Sequence, residues 1–173
     1  MTTCWWRWLS SPSRQRLPGF IVALGVLLGC VSARENTARA TLTLHATATG
    51  QDVVLQVEVA DDVAERSRGL MGRDRLAENQ GMWFIFPNES LQRVWMKNMR
   101  FALDIVFLST NGCIVAILQQ IPPCSIEECP VYQSSAPSQY MLEITAGFVK
   151  SHALRVGDCL KTVADKNMTK SAS

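Results

Sequence analysis

Histidine is scarce in this chain: the 173 residues hold two, His45 and His152. There is no His-Glu-x-x-His pair, no redox Cys-x-x-Cys, no Gly-x-Ser-x-Gly elbow, no phosphate-cradling Walker loop and no dinucleotide fingerprint. Metalloprotease, dithiol-redox, nucleotide-hydrolysing and NAD-dependent activities thus lose their usual signatures, and nothing supports Ser/His/Asp catalysis. Long apolar runs are also missing. The longest, residues 20–29, is too short to span a bilayer. A strong charge of either sign is absent too, with 17 Lys and Arg against 15 Asp and Glu. Arg7, Arg14 and Arg16 lie in the first thirty residues, which hold no acid. Without those three, 14 bases face 15 acids, a net −1 that generates no field to attract nucleic acid.

What is present begins with a leader. A basic region followed by the apolar run of residues 20–29 has the form of a signal peptide, expected over residues 1–33. Two processing positions overlap at its end. Leu27-Leu28-Gly29-Cys30 has the form of a bacterial lipobox, in which Cys30 would carry the lipid, and Val31-Ser32-Ala33 fits ordinary cleavage after Ala33. Export to the periplasm, free or held by a lipid anchor, is the expectation; membrane association would come only through the leader or that anchor. Cys113, Cys124, Cys129 and Cys159 remain, an even number compatible with two disulfides in an oxidising compartment. Cys124 and Cys129 enclose four residues between prolines, a loop that a disulfide would close. A zinc site at that spacing, without a nearby His, has little support. Cys113 and Cys159 sit in apolar strand-like contexts and read equally well as buried thiols.

A polar tether is expected over residues 34–40, one domain over 41–164 and a polar tail over 165–173. Alternation of apolar and polar residues predicts a strand over 41–48, and 53–59 returns as its hairpin partner. Asp62 opens a helix with a capping-box-like Glu65, and Gly72 is expected to end it. Arg66, Arg68, Arg73 and Arg75 form its solvated rim or an anion contact. Central strands are expected over 82–86, 91–96 and 101–108. Asn111-Gly112, the strongest turn signal, pairs the last of these with 113–120. A long Pro-, Cys- and Ser-rich loop over 121–138 precedes strand 139–145, a short helix or turn over 147–154, and a last strand over 159–163. About eight short strands with one or two helices predict a mainly β fold: a single-domain β-sandwich or jelly-roll-like barrel.

Two carboxylates stand out. Asp104 interrupts Phe-Ala-Leu-Asp-Ile-Val-Phe, where an unpaired charge would cost several kcal/mol, so a partner is required. Lys97 and Arg100 are near in sequence. Glu143 sits between core residues in Tyr-Met-Leu-Glu-Ile-Thr. If both lined one pocket they would form an acid/base or metal-binding pair. Trp95, Lys97 and Asn98 would supply one wall of a ligand pocket. Met82, Met96, Met99 and Met141 raise a soft-metal site, but their scatter reads as core filling. His45 and His152 read as solvated residues. No cofactor is expected, since a metal at these positions has no further support.

Glu65-Arg66-Ser67-Arg68-Gly69-Leu70-Met71, Gly81-Met82-Trp83-Phe84, Trp95-Met96-Lys97-Asn98 and Leu103-Asp104-Ile105 resemble the domain of unknown function 192 family, the uncharacterised conserved ACR proteins. Pro122-Pro123-Cys124, Cys129-Pro130-x-Tyr132, Leu142-Glu143 with Ala146-Gly147, and Val156-Gly157-Asp158 continue the resemblance, which covers 53–160. It departs at Met99 and Ala102, where the family usually has Thr and Pro. The resemblance implies an exported, mostly β, sandwich-like single domain and brings no catalytic residue or ligand with it. The leading expectation is therefore an envelope β-domain that binds a small molecule or a protein partner through Trp95, Lys97, Asn98, Asp104 and Glu143, without nucleic acid and without chemistry. An envelope enzyme using Asp104 and Glu143, or a structural accessory lipoprotein, are the alternatives.

Overall fold

Along β1 (Arg39–Ala46) every second residue, Ala40, Leu42, Leu44 and Ala46, is buried, while Thr41, Thr43 and His45 face outward. β2 (Gln51–Ala60) repeats this period with Val53, Leu55, Val57 and Val59, so one face of the hairpin is apolar and the other polar. The polar face is tied by His45 Nδ1 to Asp52 at 2.8 Å and by Lys161 to Asp52 at 2.7 Å. The hydrogen bonds from Lys161 and then His45 hold the Asp52 carboxyl below its ordinary value.

This computed structural model describes residues 37–165. The leader expected over 1–33, with Cys30, and the tail after Asp165 lie outside the described residues. The remaining elements are α1 (Val63–Arg68), β3 (Gln80–Ser90), β4 (Arg93–Trp95), β5 (Leu103–Leu108), β6 (Ile114–Ile121), β7 (Val131–Gln133), β8 (Ser138–Thr145), α2 (Phe148–Ser151) and β9 (Cys159–Asp165). Seven strands form one curled sheet in the order β6-β5-β8-β3-β2-β1-β9, and β4 pairs with β7 in a separate two-stranded sheet. Only β2 and β3 run parallel within the large sheet. The mainly β expectation holds, in the form of a half-barrel.

The two edge strands meet at one end. Ile114 N donates to the Asp158 carbonyl at 2.8 Å, and Leu160 N to that of Gly112 at 2.9 Å. A Cys113–Cys159 disulfide fastens the same point. The buried-thiol reading of these two cysteines is thus corrected; their separation of 46 residues hid the pairing. Asp158, fully buried, sits beside this junction and accepts from Thr47 N at 3.0 Å, from Thr47 Oγ1 and from Arg155 N. Burial alone would raise its carboxyl, but the bonds from Thr47 and Arg155 hold it below the ordinary value.

Curling divides the core in two. Inside lie Leu42, Leu44, Leu55, Trp83, Val106, Leu142 and Ile144 with Phe148 and Val149 of α2. Outside β3, β5 and β8, a second cluster of Met82, Phe84, Ile105, Phe107 and Met141 is roofed by Leu70, Val94, Met96 and Met99. Gly81 on β3 allows β8 to approach. A Cβ there would come within 2.8 Å of the Glu143 carbonyl oxygen and 3.1 Å of both Ile144 and Leu142 side chains. A backbone oxygen in a sheet cannot step aside, so Gly81→Ala is expected to lower stability by about 1–3 kcal/mol, read as a shift of the urea midpoint.

Three local expectations are corrected. The helix opened by Asp62, whose carboxylate accepts from Glu65 N at 2.8 Å, ends at Gly69 and not at Gly72. Residues 91–96 do not form a central strand: three of them pair with β7, which the sequence pattern left inside a loop. Finally, Arg100 pairs with Asp74 and Lys97 lies 5.5 Å from the Trp95 ring centre, so neither is the partner of Asp104.

Candidate functional site

Successive side chains of a strand point to opposite faces, and this decides the fate of the two carboxylates. On neighbouring strands, Asp104 pairs with Ile144 and Ile105 with Glu143. Ile144 belongs to the inner core and Ile105 to the outer cluster. Asp104 therefore points inward and Glu143 outward, on opposite sides of the sheet. They cannot line one pocket, and the acid/base or metal pair expected of them is not formed.

Asp104 is fully buried and satisfied by backbone amides. It accepts from Gln120 N at 2.8 Å, Gly147 N at 3.0 Å and Val149 N at 2.9 Å. Gln120 belongs to an irregular stretch of β6 and has a positive φ of 55°. Gly147, at φ 91°, is the N-cap of α2. One carboxylate thus joins β5, β6 and the start of α2, using donors that a strand irregularity and a helix end leave unpaired. Asn98 is likewise structural. It sits at φ 58°, its N–H donates to the Cys124 carbonyl and its own carbonyl accepts from Gly72 N, both at 3.0 Å. Cys124, bridged to Cys129, is pinned to the same turn through the Met96 carbonyl.

Glu143 is the opposite case. It is 5% exposed, and among the described residues it has no hydrogen-bond or ion-pair partner. It lies at the floor of a cavity of about 100 Å³. Phe84, Phe86, Met71, Met96, Met99 and Met141 form apolar walls, Gly69 at the end of α1 lies above it, and Arg66, Arg68, Arg93 and Trp95 line the opening. Gly69 lies close to the carboxylate, and a Cβ there would stand 3.8 Å from Glu143 Oε2, an ordinary contact. Trp95 is 46% exposed although it lines the cavity, so it forms the mouth. Of the residues expected to bind, the structure brings Trp95 and Glu143 to one cavity, with the Lys97 ammonium 5.5 Å from the Trp95 ring centre but not among its lining residues; Asn98 and Asp104 belong elsewhere. The sequence pattern missed Arg93, Met71 and the two phenylalanines. Arg66 and Arg68 were legible as an anion contact, but nothing in the sequence connected them to Glu143.

Burial without a partner pushes the Glu143 carboxyl up from the ordinary 4.5 to about 8. Between these values the unfolded chain has released the proton and the folded one keeps it. Stability is then expected to fall as pH rises through that window, by about 1.4 kcal/mol per unit at most, and to level off above it. Glu143→Gln should flatten this slope, which urea unfolding from about pH 5 to about pH 8 measures.

The model of a family described as uncharacterised ACR, domain of unknown function 192, matches residues 44–162. A solved structure from Sinorhizobium meliloti 1021, of a protein proposed as a transcription regulator, is 35% identical over 72% of this chain and 94% of its own, with a TM-score of 0.67. A second, a protein of unknown function from Novosphingobium aromaticivorans, is 23% identical over 84% of this chain and all of its own, with a TM-score of 0.68, a likeness of fold. No curated protein matches.

Proposed function

The chain belongs to the uncharacterised ACR family, domain of unknown function 192, and from that premise we propose that it is an exported binding domain for a small molecule, held in the cavity above Glu143. The observation that carries this reading is the unpartnered buried carboxyl itself. A polar group that costs free energy to bury is kept where a ligand can reach it, at the floor of an apolar cleft with an aromatic mouth. Export, to the periplasm or to a lipid-anchored position, is supported by the leader pattern and by two disulfides, which persist in oxidising compartments. Catalysis is not part of the reading, because among the described residues no second carboxylate, histidine or cysteine lines the cavity with Glu143. Nucleic-acid binding is not part of it either, given the net −1 beyond the first thirty residues.

A melting screen of a small-molecule library tests it. A ligand of this site raises the melting temperature of the wild type and leaves Glu143→Leu and Trp95→Ala unmoved. Compounds that stabilise all three proteins equally would place binding somewhere else.

A further inference from the structure

The cavity has two chemically different ends, and what they select can be inferred if the binding reading holds. At the inner end, Glu143 faces Met82 and Ile105 across the neighbouring strands and Gly69 from above. The other charged groups lining the cavity are Arg66 and Arg68 of α1 and Arg93 of β4. Burial alone accounts for the raised proton affinity of Glu143, so at neutral pH it stands as an acid with an O–H to donate. At the outer end the lining charges are all guanidinium groups. Arg93 is exposed, and Arg66 uses Nη1 on the carbonyls of Asp61 and Ile85. Guanidinium forks suit carboxylates, and the thioether and phenyl walls suit an apolar middle. A cavity of about 100 Å³ confines the occupant to a few heavy atoms within it.

We propose that the site takes a short-chain carboxylate bearing a hydrogen-bond acceptor at its far end, the acid group seated between Arg66 and Arg93 and the acceptor on the Glu143 carboxyl. Calorimetry with levulinate, valerate and δ-aminovalerate on the whole protein separates the two ends. Levulinate is expected to bind about tenfold tighter than valerate near neutral pH and to lose that advantage as pH rises past about 8. Glu143→Leu should bind levulinate and valerate equally, and Arg93→Gln should weaken both alike. If δ-aminovalerate binds tightest and releases a proton, the acceptor is overturned in favour of an ammonium group. If none of the three binds while the library screen yields a Glu143-dependent ligand, the carboxylate class falls and the site stands. If neither experiment yields binding, both fall.

Discussion

Replacing Asp104 with alanine is expected to remove about 4 kcal/mol of folding stability, a large share of the roughly 5–15 kcal/mol that holds a domain together. The carboxylate accepts from three backbone amides at full burial. A hydrogen bond to a charged group contributes about 1.5–3 kcal/mol, and each donor left unpaired carries its own desolvation penalty. Asp104 and Val149 are both buried, so the bond between them is not readily replaced by one to water. Asp104→Asn should fall between wild type and alanine, because its amide keeps one acceptor oxygen and turns an NH₂ toward donors. Urea unfolding reads both variants. A variant that kept wild-type stability and lost ligand binding would return Asp104 to the site.

The second large effect concerns closure of the half-barrel. Losing the Cys113–Cys159 bridge in Cys113→Ser/Cys159→Ser is expected to lower stability by about 4 kcal/mol, because the bond closes a loop across a separation of 46 residues. The Cys124–Cys129 bridge spans a separation of 5, and its removal should lower stability by about 2 kcal/mol. The entropic account rests on loop length, so the ratio between the two double variants tests it better than either value. Equal losses would contradict the loop-length account.

Much of this architecture was readable in advance. Apolar-polar alternation in the sequence located β1 and β2, where burial follows it, and also β8, which is buried on both faces, while Asn111-Gly112 located the β5–β6 hairpin, because those signals are local. Asp104 and Glu143 were both conspicuous as charges in apolar strands. What could not be read was the side of the sheet each would face relative to the other. That depends on the register between β5 and β8, strands some forty residues apart in sequence. The same limit hid the cavity. Arg66, Arg93 and Glu143 come from three elements, α1, β4 and β8, that meet only after the helix ends at Gly69 and the β4–β7 ribbon covers the outer face. Residues 91–96 carried the composition of a core strand, and burial of Val94 and Met96 explains why: they roof the second cluster and are not part of the large sheet.

The measurement that bears most directly on the binding site is the mass of the protein purified from its own source, recorded in native and in denaturing conditions, beside Glu143→Leu treated identically. A bound small molecule predicts an excess of reproducible mass in the native wild-type spectrum that disappears on denaturation and is missing from the variant. Equal native and denatured masses in the wild type, or an excess that survives in Glu143→Leu, would contradict it.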